Sequence, residues 1–188
     1  MPTAKGENNS PRGYTKLSDA AKAFNFDFRA KTVLDIGSST GGFTEYALNH
    51  GAKKVIAVEK GTNQMKSPLR FDPRIELHEK TDIFDFRIHE KIDVVVTDVS
   101  FLSLKRVLGH VRFLKNADFL VMLKPQFEAR PDQLVNGIVK NEKIRREIIK
   151  AFEQWLKQHN FVIIKKRDNL LQGKHGNLER FYHLKLAK

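Results

Sequence analysis

The chain has 188 residues, about 40 % of them hydrophobic, and 34 Lys and Arg against 22 Asp and Glu, a net charge of +12. That is enough apolar material for one domain with a sizeable core. The lack of cysteine excludes disulfides and thiolate chemistry and fits a reducing cytoplasm. No apolar run approaches the ~18 residues needed to cross a bilayer, and the first residues lack the apolar centre of an export signal. The positive balance attracts polyanions, nucleic acid first among them.

Residues 1–12 are polar and turn-rich and read as a flexible tail ahead of a single domain over residues 13–188. A helix near Thr15–Phe24 places Leu17, Ala20, Ala21 and Phe24 on one face. Strand and helix signals then alternate. Strands are expected at Thr32–Ile36, Lys54–Glu59, Ile75–His78, Asp93–Asp98 and Phe119–Leu123, and helices at Phe43–Asn49, Gln64–Leu69 and Leu104–Phe113. The runs at Val33, Val55–Val58, Val94–Val96 and Phe119–Leu123 are continuously apolar, as strands covered on both faces by helices are, so a parallel sheet is expected. A long helix begins after Asn141, which can cap it, with Glu142 at its N-terminal dipole and Ile144, Ile148, Phe152 and Trp155 as its core stripe. The last two strands, Phe161–Lys165 and Phe181–Leu186, are joined by a stretch with no room for a crossover helix, which predicts an antiparallel pair.

The chemistry concentrates at strand ends. Val33-Leu-Asp35-Ile-Gly37-Ser38-Ser39-Thr-Gly41-Gly42-Phe43 is an apolar strand, a glycine-rich turn and the start of a helix, and the next strand ends on Glu59. Such a turn lets backbone approach a ligand, and an acid at that place can accept both hydroxyls of a ribose. The spacing Asp-x-Gly-x-x-x-Gly-Gly departs from the dinucleotide pattern and suits S-adenosylmethionine. Gly37, Ser38, Gly41 and Gly42 are then expected around its amino-acid part and Glu59 at its ribose, and Asp82 is a candidate acceptor for the adenine amino group. Asp98 ends the fourth strand and Lys124 the fifth. In an open parallel sheet, both reach the crevice that holds the turn.

Three blocks in order resemble the TlyA-type haemolysin family, whose members carry FtsJ-like rRNA methyltransferase domains: Asp35-Ile-Gly-Ser-Ser-Thr-Gly-Gly-Phe43, Thr97-Asp98-Val-Ser-Phe-Leu-Ser-Leu104 and Leu123-Lys124-Pro-Gln-Phe-Glu-Ala129. The resemblance runs from about Lys16 to the C-terminus. It implies a Rossmann-like S-adenosylmethionine-dependent methyltransferase fold: a mostly parallel seven-stranded sheet with an antiparallel last strand and helices on both faces. It further implies methylation of a ribose 2′-hydroxyl in ribosomal RNA or a ribosomal subunit, without a metal, in the cytoplasm. A Lys-Asp-Lys-Glu tetrad carries over to Lys16, Asp98, Lys124 and Glu179. Cofactor contacts carry over to the turn (Asp35, Gly37, Ser38, Ser39, Gly41, Gly42, Phe43) together with Glu59, Asp82 and Asp98. Members of that family usually begin with an S4-type RNA-binding domain, where this chain has only its short tail.

The tetrad has a physical rationale. A ribose hydroxyl is weakly acidic, so attack on a methyl donor gains from a general base such as a neutral lysine amine, which two carboxylates and a second lysine can orient. Three other readings compete. A small-molecule methyltransferase accounts for the turn but not for the charge or the two lysines, and a catalytically idle RNA- or ribosome-binding module would need a degenerate crevice. A membrane-active haemolysin lacks both a spanning run and a lipid-ready helix. Lys53, Lys54, Lys66, Arg70, Arg145, Arg146, Lys165, Lys166 and Arg167 are candidate phosphate contacts, which would make RNA binding salt-sensitive.

Overall fold

The computed structural model describes residues 12–169, 171 and 176–187. Of the tail expected over residues 1–12, residues 1–11 lie outside them, as does part of the connection between the last two strands; Arg12 belongs not to a tail but to the first helix. The elements run α1 (Arg12–Phe24), β1 (Thr32–Ile36), α2 (Gly42–Asn49), β2 (Lys54–Val58), β3 (Ile75–His78), β4 (Val94–Thr97), α3 (Leu104–Val111), β5 (Asp118–Leu123), α4 (Glu142–Gln158), β6 (Phe161–Asp168) and β7 (Arg180–Leu186). They build one seven-stranded sheet in the order β3-β2-β1-β4-β5-β7-β6. β1 to β5 pair in parallel, while β7 lies antiparallel between β5 and β6.

The strands are apolar throughout because each face meets helices. Leu34, Ile36 and Val95 join Leu108, Phe152 and Leu156 of α3 and α4 in one core. Val33, Val94 and Val96 join Leu17, Phe24 and Phe43 of α1 and α2 in the other. Every residue of β1 and β4 is buried. The winding reverses between β1 and β4, and such a switch point opens a crevice at the carboxyl ends of the strands.

Two expectations need correction. No α-helix forms over Gln64–Leu69; that stretch is a loop ending in a 3-10 turn at Leu69–Phe71. Pro68 has no N–H to give a helix and biases Ser67 away from helical backbone. The Glu79 carboxylate also accepts the N–H groups of Asn63, Gln64 and Met65, drawing the loop onto the end of β3. In α4, Asn141 does cap, accepting from the N–H of Lys143 and Ile144. The buried stripe, however, is Arg145, Ile148, Ile149, Phe152 and Leu156. Ile144 and Trp155 are half-buried at its edge, Trp155 stacked on His159 with ring centroids 4.1 Å apart.

Candidate active site

Strand register assembles the site. Ile36 of β1 pairs with Val58 on one side and Thr97 on the other. The next residues, Gly37, Glu59 and Asp98, therefore leave the sheet side by side. Leu123 of β5 pairs with Arg180 of β7. Because β7 runs the other way, the residue before Arg180 is Glu179, which lands beside Lys124. The antiparallel strand thus contributes its beginning at the edge where the parallel strands contribute their ends.

Two cavities open along this edge, of about 640 and 870 Å³. Lys16, Asp98, Lys124 and Glu179 all line the first. Glu59 and Asp82 line the second, and Gly37, Ser39, Asp98, Ser100, Phe101 and Lys124 belong to both walls. Lys124 and Asp98 form an ion pair at 2.6 Å, and the Lys124 ammonium also donates to the Ser100 hydroxyl at 2.9 Å. Lys16 reaches in from α1 and donates to Glu179 at 2.6 Å, with both side chains almost wholly out of solvent. Two cation–carboxylate pairs therefore face one space.

The second cavity has the donors and acceptors of a nucleoside site. Glu59 accepts from the Ser39 N–H at 2.9 Å and the Gly61 N–H at 2.6 Å, which binds the acid to the glycine-rich turn. Asp82 accepts from the Phe84 N–H at 3.1 Å and from Lys60 at 3.0 Å, and the Lys60 ammonium holds the Asp82 carboxyl below the usual carboxylate range. Arg106 lies 5.1 Å from the Phe84 ring centroid, closing the far wall. In the turn, Gly37 and Gly41 have φ of +79° and +92°, backbone that favours glycine. Ser38 is buried against the first cavity and its hydroxyl has no hydrogen-bond partner, as expected of a group that meets a polar ligand. These features fit S-adenosylmethionine.

Not every turn residue reaches the wall. Gly42 and Phe43 line the first cavity. Asp35 is fully buried behind the turn, where its Oδ2 accepts from the Thr44 hydroxyl of α2 at 2.6 Å. Burial pushes the Asp35 carboxyl up to about 7 against the pull of that hydrogen bond, and the charges of Asp98 and Glu59 add to the rise. Gly41 is also off the wall; a Cβ there would come within 2.4 Å of Leu69 Cδ2. Both hold the turn and touch neither cavity.

Among the cations read from sequence, none of the nine lines either cavity. Lys54 pairs with Glu76, Arg70 with Glu79, Arg145 with Asp168, Arg146 with Glu142 and Lys166 with Glu153, while Lys165 donates to the Phe24 carbonyl. The cations at the cavities are Arg12, Lys16, Lys60, Arg106 and Lys124. Sequence reasoning gave no role to Ser100, Phe101 or Asn177. Phe101 follows β4 with φ of +61° and is 93 % exposed, its ring 5.2 Å from that of Phe127. Asn177 accepts from the Val139 N–H and donates to the Gly137 carbonyl, tying that loop over the first cavity. Glu128 accepts from the Leu104 N–H and the Ser103 hydroxyl, fastening the Lys124 turn to the start of α3.

Among the described residues, no helix is long and apolar enough to cross a membrane, and no group of three or more His, Cys, Asp and Glu side chains is placed to hold a metal.

The chain is 33 % identical over 174 residues to the 23S rRNA (cytidine-2′-O)-methyltransferase TlyA of Campylobacter jejuni, a match covering 92 % of this chain and 69 % of that protein. It is 36 % identical to Hemolysin A of Brachyspira hyodysenteriae, covering 92 % of this chain and 75 % of the other. A crystal structure from Lactococcus lactis, described as that of a candidate hemolysin, superposes with a TM-score of 0.90 at 34 % identity, covering 95 % of this chain and 89 % of that one. The profile of the FtsJ-like methyltransferases matches residues 10–186, and the chain belongs to that family.

Proposed function

We propose that this protein transfers a methyl group from S-adenosylmethionine to a ribose 2′-hydroxyl of ribosomal RNA. The observation that carries the reading is the shared wall: Asp98 and Lys124 belong both to the cavity with the Glu59 and Asp82 acceptors and to the cavity with Lys16 and Glu179. A nucleoside-like cofactor on one side and a second ribose on the other would meet at those two side chains.

When bound, S-adenosylmethionine supplies an electrophilic methyl on a sulfonium. Glu59 would hold the cofactor's ribose diol, Asp82 its adenine amino group, and the cavity-lining turn residues Gly37, Ser38, Ser39, Gly42 and Phe43 its amino-acid end. Lys124, as the free amine, would accept the 2′-hydroxyl proton as that oxygen takes the methyl carbon, the sulfur–methyl bond breaking with its electron pair left on sulfur and S-adenosylhomocysteine departing. Asp98 and Ser100 aim the amine and stabilise the ammonium that results. Lys16, neutralised by Glu179, offers a donor to the sugar without leaving bare charge in a buried site. Phe101, exposed where the two cavities meet, gives the target base a ring to stack on.

The relative from Campylobacter jejuni is named for 2′-O-methylation of cytidine in 23S rRNA, which favours ribose over base as the acceptor and the cytoplasm as the place of action. The test is incubation with methyl-labelled S-adenosylmethionine and, separately, ribosomal subunits, naked rRNA, protein and small metabolites, followed by nucleoside analysis. Label on a 2′-O-methylnucleoside from rRNA is the expected result. Label on protein, on a base or on a metabolite overturns the proposal.

A further inference from the structure

The two most exposed large apolar side chains among the described residues are Phe101, at 93 %, and Phe71, at 76 %. Scattered apolar residues on a surface are ordinary. Phe71 is not scattered: it stands in the wall of a groove of about 810 Å³, beside Leu48, Pro68 and Leu69. Arg12 and Thr40 line both this groove and the cavity with the tetrad, so the two are continuous.

The ring is presented by a braced turn. Arg70 donates to Glu79 at 2.6 Å and to the Met65 carbonyl at 3.2 Å. Leu69 is seated against Gly41 so closely that a Cβ there would meet it. Arg74 and Asp72 neutralise each other by a double hydrogen bond at 3.0 and 2.6 Å. Arg12, Lys66 and Arg74 line the groove against the acids Glu45 and Asp72, an excess of one positive charge. An exposed ring with cations beside it on a fixed support is the arrangement that takes single-stranded nucleic acid, base on ring and phosphate on cation.

We infer that the groove from Thr40 to Phe71 carries the single-stranded RNA flanking the methylated nucleotide, with one unpaired base stacked on Phe71 and a phosphate near Lys66. This rests on the proposed RNA substrate and adds a second contact point outside the catalytic cavity. The chemistry needed is an aromatic face and one anion, so the contact tolerates any base and supplies hold without sequence choice.

Replacing Phe71 perturbs no core, so the fold should persist and the effect should fall on RNA alone. With rRNA as substrate, Phe71→Ala is expected to raise KM about tenfold and to leave kcat within about twofold, and Phe71→Tyr to restore the wild-type KM. Lys66→Ala should lower the salt dependence of rRNA binding by about one phosphate contact. A readout independent of catalysis is the indole emission of Phe71→Trp, taken as the difference from wild type and titrated with oligouridylate; quenching is expected. Wild-type KM in Phe71→Ala together with unquenched Phe71→Trp overturns the inference, even with the enzyme fully active on rRNA. Self-association of the wild type that Phe71→Ala abolishes also overturns it, by giving the face to a second copy of this chain. Absence of methyl transfer to any RNA defeats the proposed function instead, and the oligouridylate titration still decides the groove.

Discussion

Lys16 and Glu179, 163 positions apart in the chain, meet at 2.6 Å in a buried ion pair that faces Lys124 and Asp98 across one cavity. The pair locks α1 to the start of β7. Removing one partner leaves the other as an uncompensated buried charge, which typically costs ~3–5 kcal/mol, whereas an apolar replacement of both is close to neutral. Lys16→Met and Glu179→Leu should each lower stability by about that amount in urea denaturation. The double variant should recover most of it and still fail to transfer methyl. A double variant as unstable as the singles would show that the pair contributes net stability of its own.

Lys124 differs because its partner Asp98 keeps access to water. Lys124→Ala should retain the fold and most cofactor affinity while losing at least ~10²-fold in methyl transfer, the lower range for a general base. Lys124→Arg should be equally inactive, since a guanidinium does not give up its proton near neutrality. Substantial turnover by the arginine variant in a labelled-methyl assay would replace the base with a purely electrostatic role.

Glu59 binds the turn through the N–H groups of Ser39 and Gly61, and its loss would release both. Hydrogen bonds to a charged acceptor contribute ~1.5–3 kcal/mol, so Glu59→Ala should weaken S-adenosylmethionine roughly 10- to 100-fold in calorimetry. NAD should bind to neither protein. Equal binding of NAD, or unchanged affinity in the variant, would contradict the cofactor assignment.

The Asp35 carboxyl, raised from 3.8 to about 7, makes a pH signature. Below about pH 4 both folded and unfolded states hold the proton. Between about pH 4 and 7 the unfolded chain releases it and the folded protein keeps it, so this group subtracts stability as pH rises, and the loss levels off above 7. A shift of this size corresponds to at most ~4 kcal/mol. In Asp35→Asn the slope should vanish, so the stability difference between variant and wild type should grow in the variant's favour from pH 5 to pH 8. Parallel stability curves for the two proteins would show that Asp35 keeps its charge when folded.

Much of this arrangement was legible in the sequence because it depends on features that repeat along a chain. β1 and β3 fall where apolar runs and their flanking turns put them, and Asp98 and Lys124 could be placed because strand ends in a parallel sheet share one edge. The reversed last strand was readable from a connection too short for a crossover helix. What escaped depends on contacts between distant residues. Nothing local marks Asp35 as turned inward to Thr44 while Ser38, three residues on, faces the cavity. The 64–69 stretch carries helix-forming residues, yet Pro68 and the distant carboxylate of Glu79 hold it as a loop. Charge counting supplied cations but not their partners, so Arg70 and Arg145 read as phosphate ligands although Glu79 and Asp168 already engage them. Phe101 lay inside a recognised block, but its left-handed backbone and its exposure belong to the folded chain.

The place of β7 sets an order of events during synthesis. Its slot lies inside the sheet, between β5 and β6, and β5 leaves the ribosome well before the strand that must pair with it. Until residues 179–186 emerge, the edge of β5 that β7 will cover stays unsealed and the ammonium of Lys16 lacks its counter-ion Glu179. A growing chain therefore cannot close its catalytic cavity early, however complete its cofactor half already is, and modification waits for the last strand to dock.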